Sequence, residues 1–151
     1  MALAKARTTV ALAPAEALAL WTDLRRWPSF MEGFARVKRA EGEWPEQGAL
    51  VTWESIPGGR GLVTEKVLSR DESQIQTEVF EDALAGRQTA RFLPTEDGAT
   101  RAELELEYKL TRSGILRQVT DVLFIRRALN DSLTRTLRRF AVEAEEGAAL
   151  R

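Results

Sequence analysis

Arg126 interrupts a run of apolar residues, Ile115, Val119, Val122, Leu129, Leu133, Leu137, Phe140 and Ala144, that recurs at helical spacing. At about 100° per residue it falls near the middle of that face, with Asn130 at the edge. A guanidinium there offers charge-assisted hydrogen bonds to a carboxylate, phosphate or enolate oxygen. The competing reading is an arginine that snorkels outward or pairs internally. Glu65 alternates with Val63 and Val67 in "LVTEKVLS". If those valines face inward, so does the carboxylate. An unpaired one is costly or protonated, which makes a pair with Arg126 or Tyr108 reasonable. The opposite phase, with Leu62, Thr64, Lys66 and Leu68 inside, fits the same spacing. A glutamate of raised pKa can act as general acid or base, although cross-strand pairing is its plainer role. Trp53, alternating with Val51 and Ser55, and Tyr108 either pack a core or wall a cavity with a polar end towards a ligand. Phe92 joins them.

Other chemistries are closed by composition. The 151 residues contain no cysteine and no histidine. Disulfides, thiol nucleophiles, Cys/His zinc sites and Ser-His-Asp arrangements are therefore excluded. The net charge of −1, from 22 basic and 23 acidic residues, gives no overall field towards nucleic acid. The glycine-rich "IPGGRG" lacks the strand-to-helix context and the lysine of a phosphate loop, and reads instead as a loop at a cavity mouth. No metal, nucleotide or other cofactor is expected, and no catalytic residue is assigned. Pro14 and Glu16 break the Ala/Leu-rich start, and no stretch has the apolar length to cross a bilayer. The expectation is a cytoplasmic protein, monomer or homodimer, without stable membrane insertion.

These residues need a scaffold. "ARTTVALA", 6–13, reads as a first strand, and Pro14 opens a helix carrying Leu18, Trp21 and Leu24. The Trp27-Pro28 step breaks it, and a second short helix is expected through Phe34. Period-2 segments follow near 36–41, 49–56, 61–69, 74–81, 87–93 and 99–110, separated by turn signals. In "TRAELELEYKL", Ala102, Leu104, Leu106, Tyr108 and Leu110 face one way and the charged residues the other. After Ser113-Gly114 a helix about 45 Å long runs to about Glu146, with Gly147 as its stop. The predicted fold is α+β: a curved antiparallel sheet of about seven strands wrapped around the C-terminal helix. Two short helices after the first strand plug the gap. A single domain spans 1–151, with a cavity between helix and sheet walled by Trp27, Phe30, Phe34, Trp53, Phe92 and Tyr108. From the helix come Val122, Arg126, Leu129 and Asn130.

A strand followed by "APAEALALWTDLRRWPSF", then "GALVTWE", "EKVLSRDESQI" and "DGATRAELELEYKL" before a terminal helix, resembles the START-like superfamily. Within it the chain is most similar to the polyketide cyclase/dehydrase and lipid-transport group. Trp21-Thr22-Asp23, the Trp27-Pro28 corner and the turn at Asp97, Gly98 and Thr100 carry most of the likeness. The resemblance implies a helix-grip fold whose cavity holds a small hydrophobic or aromatic molecule, lipid-, quinone- or polyketide-like. Alternatives are a polyketide cyclase or aromatase acting in that cavity, or a co-chaperone or regulator acting through its surface. The cyclase branch commonly carries tyrosine where Phe34 stands, and a cavity arginine near Ser69, where the nearest arginine is Arg70.

Overall fold

The computed structural model describes residues 2–111 and 119–149, with the side chains of the last helix described from Phe124 onwards. The expected break at Ser113-Gly114, Ile115, and the side chains of Val119 and Val122 lie outside the described residues. Seven strands form one antiparallel sheet: β1 (Ala2–Val10), β2 (Phe34–Glu41), β3 (Leu50–Ser55), β4 (Leu62–Arg70), β5 (Gln74–Phe80), β6 (Leu84–Pro94) and β7 (Thr100–Leu110). Their order across the sheet is β1-β7-β6-β5-β4-β3-β2. The helices are α1 (Pro14–Thr22), α2 (Trp27–Phe30) and α3 (Val119–Ala149). This is the helix-grip arrangement expected.

The corner after β1 follows from its residues. Pro14 sits in the first turn of α1, where a missing N–H costs nothing, and Ala17, Leu18 and Trp21 form its buried face. Asp23 ends α1 and accepts the Arg25 N–H at 3.1 Å, starting a 3₁₀ turn over Leu24–Arg26. α2 is shorter than expected: Gly33, at φ 74°, reverses the chain, and Phe34 opens β2 instead of closing the helix. The first strand is also shifted, to Ala2–Val10. The small Ala2, Ala4 and Ala6 carry little strand signal alone, yet they pair opposite Tyr108, Leu106 and Leu104 of β7. Gly147 does not stop α3, which continues helically to Ala149.

The core lies between the sheet's inner face, α1, α2 and the second half of α3. Trp21, Phe30 and Phe140 meet with ring centroids 5.1–5.5 Å apart, and Phe92 lies 5.9 Å from Phe140. Such pairs each add about 0.5–1.5 kcal/mol beyond area burial. Trp27, the residue at the corner, is almost fully buried and donates its indole N–H to the Trp21 carbonyl at 2.8 Å. The first half of α3 runs against the edge strand β1, where Asn130 accepts the Lys5 N–H at 2.9 Å. That contact covers an edge otherwise open to another strand. Among the described residues no helix is long and apolar enough to cross a membrane.

Candidate functional site

The inner face of the sheet is mostly apolar, with Ser55 and Thr100 as buried polar residues near the ends of β3 and β7. Between them a polar arc crosses five consecutive strands: Trp53 on β3, Glu65 on β4, Thr77 on β5, Gln88 on β6 and Tyr108 on β7. Glu65 stands opposite Val79, Val79 opposite Gly86, and Gly86 opposite Tyr108, so Glu65 and Tyr108 share a row. Thr77 and Gln88 face each other in the next row. A side chain at Gly86 has no room, because its Cβ would lie 2.1 Å from the Glu107 carbonyl oxygen.

Glu65 is buried, as are Val63 and Val67, which settles the phase of β4. Its partners are the Trp53 indole N–H, donating to Oε2 at 3.0 Å, and the Thr77 hydroxyl, donating to Oε1 at 3.2 Å. Burial pushes the carboxyl's pKa up, and this outweighs the two hydrogen bonds and the nearby charge of Arg60, which favour the anion. Arg60 pairs with Glu81 and lies 5.3 Å over the Trp53 ring, a cation–π contact at the end of the arc. At the other end the Tyr108 hydroxyl is buried with no hydrogen-bond partner among the described residues.

Opposite Glu65 and Thr77 stand Trp21, Trp27, Met31 and Trp44, around an internal cleft of about 10 Å³. That is at the limit of one water molecule. Trp27 meets Trp44 and Trp53 nearly at right angles, at 5.9 and 6.3 Å.

Of the residues expected at a cavity, Trp27, Phe30, Trp53, Glu65, Phe92 and Tyr108 are buried on the inner side, and Phe34 is half-buried beside Trp27 and Trp53. Leu129 packs partly against the core. Arg126 is exposed, and the expected pairing of Glu65 with Arg126 or Tyr108 is replaced by Trp53 and Thr77. The expected apolar face holds at Leu133 and Leu137, and Ile125 and Leu129 on either side of Arg126 pack partly against the core. Asn130 is engaged by the Lys5 backbone. Val122 lies in α3, its side chain outside the described residues. Arg70 ends β4, pairing with Glu46 at 2.5 Å. Sequence reasoning passed over Thr77, Gln88 and Trp44. The alternation Ile75-Thr77-Val79 marks the first, and Trp44-Pro45 repeats the Trp-Pro step of the corner.

A family model described as polyketide cyclase / dehydrase and lipid transport matches residues 1–145. No curated protein matches the chain at the sequence level. Among solved structures, the di-domain ARO/CYC StfQ from the steffimycin biosynthetic pathway aligns with TM-score 0.75 and 19% identity, over 97% of this chain and 51% of that one. The chain thus spans about half of that protein. A START superfamily protein from Mycobacterium smegmatis gives 0.73 and 11%, over 95% and 97% of the two chains. Truncated norcoclaurine synthase from Thalictrum flavum gives 0.69 and 14%, over 93% and 91%. At these identities the likeness is one of fold.

Proposed function

From the premise that the chain belongs to the polyketide cyclase / dehydrase and lipid transport family, we propose that it binds a small hydrophobic or aromatic molecule between the concave sheet and α3. The ligand is lipid-, quinone- or polyketide-like in chemistry. The observation that carries this reading is the polar arc ending in a Tyr108 hydroxyl with no hydrogen-bond partner among the described residues. A buried polar group without a bond costs about 1–3 kcal/mol, and a core built for stability alone has no use for one. Glu65, Thr77, Gln88 and Tyr108 supply hydrogen bonds to the ligand's oxygens, while Trp27, Phe30, Phe34, Trp53 and Phe92 hold its apolar body, with Val122 and Leu129 completing the wall from α3. Arg126 and Asn130, on their observed surroundings, stand outside this set. The cleft of about 10 Å³ is too small for such a molecule, so binding beside Glu65 requires side chains to move, and the unbranched Met31 is the best suited to do so. The protein works without metal or nucleotide, as a monomer or homodimer in the cytoplasm.

Native mass spectrometry of freshly purified protein tests this: a co-purified hydrophobic molecule of defined mass is expected. Failure to retain any such molecule, together with no change in tryptophan fluorescence across a panel of quinones, fatty alcohols and aromatic ketones, would overturn it. One observation favours a second reading, a cyclase-like reaction in the same interior. Burial raises the Glu65 pKa, the direction in which a general acid is tuned. In that case Glu65→Gln abolishes turnover of a poly-β-ketone thioester while its binding persists.

A further inference from the structure

Outside the cleft an open groove of about 450 Å³ lies between the α2–β2 turn, the β3–β4 loop and α3. Met31 walls both spaces, and is itself only 7% exposed. Met31 is thus a flexible side chain common to the groove and the cleft. The groove's apolar lining includes Pro28, Phe34, Ile56 and Pro57, and its charged residues are Glu32, Arg60 and Arg139. The first two charges are matched, Glu32 by Arg135 and Arg60 by Glu81. Arg139 has no carboxylate partner among the described residues. The groove thus combines an apolar wall, a side chain shared with the cleft beside the arc, and a positive charge with no carboxylate partner among the described residues.

We propose that this groove is the entrance to the interior and holds the anionic head of an amphiphile against Arg139, while the apolar part passes Met31 towards Glu65. The proposal rests on the interior-binding reading above and narrows its ligand to a carboxylate-bearing amphiphile. A guanidinium binds a carboxylate through parallel charged hydrogen bonds, which an alcohol forms weakly and an ammonium not at all.

The test uses three ten-carbon probes, decanoate, decanol and decylammonium, titrated at pH 7.5 and followed by the fluorescence of the four tryptophans. Decanoate is expected to bind about tenfold or more tighter than decanol, with decylammonium weakest. In Arg139→Gln, an exposed position where folding is not at stake, the decanoate affinity is expected to collapse to about that of decanol. Equal binding of decanoate and decanol by the natural protein, or a preference that survives in Arg139→Gln, overturns the entrance proposal and leaves the interior-binding reading standing. If none of the three probes binds, the entrance proposal falls, while the interior-binding reading stands or falls with the co-purified molecule and the quinone and aromatic-ketone panel.

Discussion

Glu65 and Tyr108 are polar groups kept inside at a cost to stability, and both costs are measurable. Because burial raises the Glu65 pKa, the folded chain holds the proton more tightly than the unfolded one. Its contribution is fully present below the ordinary glutamate value of 4.5 and is lost as pH rises through the raised folded value. Glu65→Gln removes this dependence while retaining an acceptor for the Trp53 N–H. At pH 8 the variant should be more stable than the natural protein by about 1–3 kcal/mol, with the difference vanishing near pH 4, as urea melts across pH would read. Tyr108→Phe deletes a hydroxyl that bonds to nothing described. Its melting temperature should hold or rise by roughly 2–4 °C, while the affinity for an oxygen-bearing ligand falls. A drop in stability instead would mean the hydroxyl is structurally engaged. The inward valines flanking Glu65 were legible as a period-2 pattern, conditional on the phase of one strand. Its partners were not, because Trp53 and Thr77 reach it only through the registers of β3 and β5.

At the scale of elements, the β3–β4 loop is held by a few local hydrogen bonds and by one well-placed ion pair. Gly58 and Gly61 have φ of 83° and 80°, which side chains resist. Ser55 closes the loop by accepting the Gly61 N–H on its hydroxyl at 2.8 Å and donating its own N–H to the Gly61 carbonyl at 2.9 Å. From this loop Arg60 reaches Glu81, between β5 and β6, whose carboxylate side chain is only 6% exposed. Arg60→Ala strands that carboxylate and should cost about 1–3 kcal/mol. Faster hydrogen exchange should be confined to the amides of 55–62 and 81–84. Exchange unchanged there would show that the pair does not restrain the loop. Turn residues made this loop readable, as alternation did β3, β4 and β7. The elements misjudged are those whose limits depend on distant partners. Alanines that look indifferent become β1 opposite β7, and Phe34 leaves a helix for a strand once Gly33 turns the chain.

Across the whole molecule, α3 has two halves with different work. From Leu133 to Ala144 it presses Leu133, Leu137, Phe140 and Ala144 into the core, while before Leu133 it also meets the edge strand β1 through Asn130, with Ile125 and Leu129 packed partly against the core. Periodicity alone shows one continuous stripe and cannot tell that Asn130, at its edge, meets the Lys5 backbone. The other edge, β2, is guarded differently, by two register shifts and the exposed Arg36, Lys38 and Arg39. What grips the sheet is therefore Phe140, fully buried among Trp21, Phe30 and Phe92. Phe140→Ala should cost about 3–5 kcal/mol, a large share of the roughly 5–15 kcal/mol that holds a domain together. The same change opens space beside the cleft. A ligand that fills it stabilises only the folded state, by about 2.7 kcal/mol at a hundred times its Kd. Decanol should therefore raise the melting temperature of Phe140→Ala more than that of the natural protein. An equal rise in both would place the bound ligand away from the junction of helix and sheet.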